Sequence, residues 1–180
     1  NYAAFAEGNL NFTRNFRAIL GLRLLRDDLD YRFARTSTSA AAVTGIRPDY
    51  ASNGSTAHNG YVDRIGLQYD VTRDIHAYFT YSHGYKGPAY NVFFNMQNTD
   101  AKALRPEQNN SFELGLKSQF LHRRITANFA AFIEDFSNYQ ANFLDTVAGA
   151  TVTRLINAGT VSSKGLEGDI TARPFRYLTV

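Results

Sequence analysis

Asn110–Phe136, NSFELGLKSQFLHRRITANFAAFIEDF, is the stretch whose reading decides the fold. Phe112, Leu114, Leu116 and Phe120 share one side of an extended chain, and Glu113, Gly115, Lys117 and Gln119 share the other. After the turn Leu121-His122-Arg123-Arg124 the alternation resumes. Ile125, Ala127, Phe129, Ala131 and Ile133 face one way, Thr126, Asn128 and Glu134 the other. A period of two over that length makes each limb a strand with an apolar and a polar side. Each limb has about ten residues, enough for a tilted strand to cross a bilayer. Soluble strands more often stop at about five or six.

The same unit recurs along the chain. Asn1–Phe12 and Phe16–Leu24 flank the short turn Thr13-Arg14-Asn15, and past Leu24 the pattern shifts to Leu25, Leu29, Tyr31 and Phe33. Either a bulge or emergence above a membrane accounts for that shift. Ala34–Asn59 is polar and small and is expected to be a long connection. Tyr61–Val71 and Ile75–Lys86 flank a second short turn, Thr72-Arg73-Asp74. A long connection then runs from Gly87 to about Asn109, and another lies near Asp145–Thr151. A seventh strand ends at Leu166, Gly168, Ile170 and Ala172, before the turn Arg173-Pro174-Phe175-Arg176. Short and long connections alternate strictly, as they do when a barrel has one side in the periplasm and one outside. Aromatic residues gather at both ends of the strands, where interfacial girdles lie.

Composition narrows the class. Of the 180 residues 44% are hydrophobic and 19% charged, which excludes a mostly disordered chain. Mean hydropathy is −0.33. No run of about eighteen apolar residues exists, so a membrane helix is excluded but a barrel is not. The net charge of +3 is scattered, and no basic run exceeds Arg123-Arg124, so no nucleic-acid partner is expected. Cysteine is absent, which removes disulfides and thiolate sites. Asn1–Gly8 carries no leader pattern and Leu178–Val180 looks like the start of a further strand. An internal piece of a longer chain is expected.

The chemistry-bearing residues read blandly. His76 and His83 point to opposite faces of one strand, while His58 and His122 sit apart, so no metal site is expected. Glu113, Glu134, Glu167 and Asp169 could form a glycosidase pair. They share a face with Arg64, Lys117 and Arg173, so a charged, watery interior is the better reading. No phosphate loop, serine elbow or HExxH is present, and no enzyme and no cofactor are expected. Gly21, Gly66, Gly115 and Gly168 interrupt strands, either for curvature or to clear space for something packed on the wall.

Four segments carry a family resemblance. Tyr81-Ser82-His83-Gly84-Tyr85-Lys86-Gly87-Pro88-Ala89-Tyr90-Asn91 resembles a "YSRGYKAPGYN" segment. Leu104-Arg105-Pro106-Glu107 with Phe112–Ser118 resembles "PE…YELGLKS", continued by Phe129–Phe132 and Tyr139-Gln140. Asn157-Ala158-Gly159 with Lys164-Gly165-Leu166-Glu167 resembles "NAG…KGLE", and Leu20-Gly21-Leu22-Arg23 resembles "AGLRY". Together they resemble the barrel domain of TonB-dependent outer-membrane receptors.

The resemblance implies an all-β, antiparallel transmembrane wall. Residues 1–180 would supply seven to eight strands of a barrel of about 22. The plug and the last strands would lie outside this sequence. It implies a Gram-negative outer-membrane location, with lipid and lipopolysaccharide around the barrel. The implied activity is uptake of a scarce solute, foremost an iron–siderophore complex, energised by TonB. Arg17, Arg23, Arg64, Gln68, Lys86, Glu113, Lys117, Glu167, Asp169 and Arg173 are then expected to face the lumen and plug. Leu20, Leu22, Leu67, Phe79, Leu114, Leu116, Phe129 and Ile170 are expected to face lipid. Tyr50, Tyr90 and Phe93 are candidate loop contacts for the solute. Two rivals remain: a small complete barrel with a structural or adhesive role, and a soluble carbohydrate-binding β-sandwich.

Overall fold

Alternation becomes a ladder in the three-dimensional structure, a computed structural model that describes residues 1–37, 47–147, 149–173, 175, 177 and 178. The strands are β1 (Tyr2–Asn11), β2 (Phe16–Arg35), β3 (Tyr50–Asp70), β4 (Ile75–Lys86), β5 (Glu107–Phe120), β6 (Ile125–Ser137), β7 (Gln140–Val147), β8 (Ala150–Asn157) and β9 (Val161–Ala172). Seven of them form one antiparallel sheet in the order β1-β2-β3-β4-β5-β6-β9, while β7 and β8 pair only with each other. The sheet is open, with β1 and β9 at its edges. Among the described residues no second sheet covers it, which removes the β-sandwich; an open edge at each end removes the small closed barrel for this chain.

Register sorts the side chains. Leu10, Ala18, Leu67, Phe79, Leu114, Ala131 and Leu166 are successive ladder partners, one apolar row across all seven strands. The row below holds Phe16, Tyr69, Ala77, Leu116, Phe129 and Gly168. Two rows above the all-apolar one, Asp63, His83, Asn110, Asp135 and Ser162 end the apolar band on β3 to β9. On β5 the band runs from Phe112 to Phe120. That is roughly 27 Å along the strand. At a tilt of about 40° it spans roughly 21 Å, close to the ~25 Å apolar band of a membrane barrel. Ser118 interrupts the band, and its hydroxyl is used by donating to the Ala127 carbonyl at 2.6 Å. Leu114 stays 61% exposed and Ile170 65%. Among the described residues, the buried apolar side chains are Ala18, Met96, Ala127 and Val152, and Met96 and Val152 lie outside the sheet.

Several expectations change here. Ala34–Asn59 is not one loop, because β2 runs on to Arg35 and β3 begins at Tyr50. Pairing is unbroken from Phe16↔Tyr69 to Arg35↔Tyr50, so no bulge causes the shift after Leu24. The hairpin has instead left the apolar band. Arg26, Asp28, Asp30 and Arg32 occupy the face that carried Leu20, Leu22 and Leu24. With both faces wet, nothing selects an apolar alternation, and the strand signal fades from the sequence. Tyr50 is consequently a strand residue. The connection expected near Asp145–Thr151 is the tip of the β7–β8 hairpin, and the seventh wall strand starts only at Val161. In the turn after β9, Pro174 and Arg176 lie outside the described residues, as do Thr179 and Val180.

The strand glycines now have a physical account. Tyr31 is the ladder partner of Gly54, Tyr78 of Gly115, Phe132 of Gly165 and Phe129 of Gly168. In each pair the ring lies where a glycine Cβ would be, at 2.7 Å for Tyr31 and 2.2 Å for Tyr78. What the wall makes room for is an aromatic ring of its neighbouring strand. Gly21 and Gly66 are different, with only ordinary contacts around them.

Gly115→Ala would place its methyl 2.2 Å from Tyr78 Cζ. In the full-length parent this should cost about 1–3 kcal/mol by overpacking. Tyr78→Ala should recover most of that loss in a double-mutant cycle read by denaturant unfolding. Strict additivity of the two changes would disprove the ring-over-glycine account.

Candidate functional site

The face opposite the apolar band is polar, and its rows are also continuous. Arg17, Gln68, Tyr78, Gly115, Ala130 and Glu167 are successive partners. So are Glu7, Gly21, Arg64, Ser82, Ser111, Glu134 and Ser163. A recess of about 440 Å³ is lined by Arg17, Arg64, Gln68, His76, Glu113 and Lys117, among others. A neighbouring one of about 570 Å³ takes in Lys117, Asn128, Glu167 and Asp169.

Hydrogen bonds fix much of this surface. Arg17 Nε donates to Gln68 Oε1 at 2.6 Å, and its Nη1 to Asp70 at 3.3 Å. Asp70 Oδ1 also holds His76 Nδ1 at 2.7 Å. Tyr78 Oη donates to Glu113 Oε1 at 2.6 Å, and Lys117 Nζ lies 5.4 Å from the centre of the Tyr78 ring. Asn128 Nδ2 donates to Asp169 at 3.0 and 3.2 Å. Arg64, Lys117 and Glu167 form no ion pair among the described residues.

Of the ten residues singled out for this face, Arg17, Arg64, Gln68, Glu113, Lys117, Glu167 and Asp169 line these two recesses. Arg23 is exposed beside Glu7 and Gly21 in a smaller one. Lys86 stands at the upper end, away from the short turns, and pairs with Glu107 at 3.7 Å. Arg173 lies just past β9 and donates its backbone N–H to the Arg124 carbonyl. The apolar eight, Leu20, Leu22, Leu67, Phe79, Leu114, Leu116, Phe129 and Ile170, share the other face.

The upper end is more ordered than its sequence suggests. Loop 87–106 folds over the polar face of the extended β2–β3 hairpin. Tyr90 packs on Tyr31 with ring centres 4.4 Å apart. Arg35 donates to the Phe94, Met96 and Pro48 carbonyls and lies 5.6 Å from the Tyr50 ring. Tyr85 departs from its expected row: β4 parts from β3 after His83, and the phenol lies over Gly60 with its Oη 3.2 Å from His58 Nδ1. Of the candidate loop contacts, Tyr50 and Tyr90 are thus engaged with protein, and Phe93 is half-buried. Val92 and Phe94 are the exposed apolar residues of this loop.

One junction collects the motif residues. Gln140 donates its N–H to Glu107 Oε2 at 2.6 Å and its Nε2 to the Gly87 and Arg105 carbonyls. Asn157 accepts from Arg105 N–H at 2.9 Å and donates to the Arg105 and Asn138 carbonyls. Further up, Arg154 pairs with Asp145 at 2.7 Å and with the buried Asp100. Asp100, Asp145, Arg154 and Gln140 have no periodicity to reveal their roles. Only the run Tyr139-Gln140, already part of the resemblance, offered a signal.

The family model "TonB dependent receptor-like, beta-barrel" matches residues 1–180. The ferric-pyoverdine 358 receptor of Pseudomonas putida is 26% identical over 168 residues, 91% of this chain and 17% of that receptor. The ferric yersiniabactin uptake receptor FyuA of Yersinia pestis superposes with a TM-score of 0.78 at 20% identity, covering 97% of this chain and 24% of FyuA. The copper transporter OprC gives 0.75 at 18% identity, over 97% of this chain and 26% of OprC. The chain therefore spans about a sixth to a quarter of these three proteins.

Asp145 gives the upper end a pH signature. The Arg154 hydrogen bond, then the Thr146 N–H, hold its carboxyl below the ordinary value. A lowered folded-state pKa contributes stability that is complete above the unfolded value of about 3.9 and is lost as pH falls through the folded value. Hydrogen exchange in the full-length parent should show constant β7–β8 protection from about pH 8 to 5 and a loss below about pH 4. A loss centred near neutrality would contradict this assignment.

Proposed function

The chain belongs to the TonB-dependent receptor family of outer-membrane β-barrel transport proteins, and on that premise we propose that it forms part of the barrel wall of an outer-membrane uptake receptor. The observation that carries this is the division of a single uncovered sheet into an apolar band of membrane height and a continuous polar face. In this reading the apolar eight meet lipid, with lipopolysaccharide in the outer leaflet. The ten polar residues meet water and the plug supplied by the rest of the parent protein. The short turns face the periplasm, and loop 87–106 and the β7–β8 hairpin face outward.

The cargo of this reading is an iron–siderophore complex, supported by the ferric-siderophore receptors among both the sequence and the structural relatives. TonB, coupled to the proton gradient of the inner membrane, supplies the energy. The wall contributes no bond-making chemistry. It excludes lipid from the path, anchors the plug through charged and amide side chains, and holds the outer loops in place.

In the full-length parent, Leu116→Arg should block assembly into the outer membrane, at a cost of roughly 2–4 kcal/mol near the bilayer midplane. Lys117→Gln should assemble and support uptake of radioactive ferric siderophore under iron starvation. Collapse of the proton gradient should stop that uptake. Equal tolerance of the two substitutions would sink the wall assignment, and uptake indifferent to the gradient would sink the energised one.

A further inference from the structure

Loop 87–106 is held at two levels. At its neck, Leu104 N–H donates to the Ala89 carbonyl at 2.7 Å, and Gln140 spans the Gly87 and Arg105 carbonyls. At its far end sits Asp100, whose side chain is fully buried. Asp100 Oδ2 accepts the Gln97 N–H at 3.0 Å, closing the 3-10 turn Asn98–Ala101, and its Oδ1 takes Arg154 Nη2. Arg154 stands on β8, bracketed by Asp145 of β7 at 2.7 Å. Between the two levels, Asn91 Oδ1 accepts the Leu155 N–H at 3.1 Å, and Asn95 and Met96 are fully buried. Val92 and Phe94, 46% and 55% exposed, are therefore presented from a loop whose neighbouring residues are all anchored.

The hairpin that carries Arg154 has no ladder to the wall. Its chain leaves β6 through Asn138, with φ +53°, and rejoins β9 through Gly159, with φ +100°. Both positions lie in the left-handed region, and the resulting elbow turns the hairpin off the sheet. The hairpin thereby brings the Arg154 cation to Asp100, which has no other cationic partner among the described residues.

We infer that Arg154 is a positioning residue that, through Asp100, fixes the outward surface of loop 87–106 bearing Val92 and Phe94 for cargo capture. The inference rests on the proposed uptake reading. A surface fixed before binding spares the ordering cost that a mobile loop would pay on capture. Removing Arg154 leaves a buried carboxylate uncompensated, so the loop must move to hydrate it.

The test uses the full-length parent in outer membranes and ferric pyoverdine as the probe. Arg154→Met should raise the apparent KM of uptake at least about tenfold and leave the maximal rate and surface assembly unchanged. In a parent with any cysteine outside this chain replaced by serine, Asn91→Cys with Leu155→Cys, positions already in hydrogen-bond contact, supplies a disulfide in place of the clamp, its formation read by mass spectrometry. In the Arg154→Met background, oxidation should restore the KM and reduction should lose it again. An unchanged KM in Arg154→Met overturns the inference. A raised KM that the disulfide fails to restore also overturns it, because Arg154 would then touch cargo itself. If the wild-type receptor takes up no ferric pyoverdine, the cargo reading fails separately. The clamp is then read by hydrogen exchange over residues 91–100, where faster exchange in Arg154→Met supports it and unchanged exchange refutes it.

Discussion

Everything in this chain depends on the interstrand backbone ladder, because the sheet has no core to hold it. A single layer, covered among the described residues only where loop 87–106 meets the β2–β3 extension, gains little from burial, and of those residues only Ala18 and Ala127 are buried apolar side chains within it. The peptide groups of the wall must therefore find their partners across strands. In a hydrocarbon medium that requirement is absolute, since no water is present to accept or donate. Side chains are then free to be chosen by the medium that each face meets, and that choice produces the clean two-residue period of Phe112–Phe120. Where the ladder leaves the band the rule lapses. Arg26–Arg32 keep the strand but lose the pattern.

Packing nevertheless matters at discrete points on the ladder. Four aromatic rings lie over the glycines that are their ladder partners on the adjacent strand, and each ring pins a pairing register that the alternation alone leaves degenerate by two residues. The pairs differ in separation along the chain, from Tyr31 and Gly54 to Phe129 and Gly168. Local propensity therefore cannot specify them, and the two residues act only once the strands meet. This explains why an interior glycine, weak in a strand by itself, persists on both faces of this wall.

The wall strands below Leu24 were legible from the sequence, because an apolar face on one side and a polar face on the other leave a binary mark. The short turns were legible for the same reason, since they interrupt that mark at regular intervals. The extension of β2 and β3 to Arg35 and Tyr50 was not, and neither was the β7–β8 hairpin. Both lie where water meets both faces, and Ser, Thr, Asn and Gly serve equally in loop and strand there. The polar-face residues could be placed by parity. Their partners could not: parity puts Arg17, Gln68 and Asp70 on one face, but only the ladder brings β2 beside β3. The Asp100–Arg154 pair was invisible, since it joins two connections 54 residues apart.

The polar face is divided by charge, and the division follows the strand order. Arg17, Arg23, Arg64 and Lys117 stand on β2, β3 and β5, opposed there by Asp70 and Glu113. Glu134, Glu167 and Asp169 stand on β6 and β9 with no basic residue in their rows on those two strands. Adjacent strips of opposite sign could neutralise each other, yet among the described residues Arg64, Lys117 and Glu167 form no ion pair, and the acidic Glu113 is taken by the Tyr78 hydroxyl. Side chains of this length would collapse into surface ion pairs if stability were all they served, though such pairs return little in water. Instead Lys117 lies against the Tyr78 ring, and the basic Arg64 and Lys117 stay on different strands from the acidic Glu167. A surface of that kind is suited to orienting a charged body against it, because a mismatched orientation places like charges together. On the uptake reading proposed above, the plug is the body so oriented, and the ladder that holds the strands in order also keeps the two signs apart.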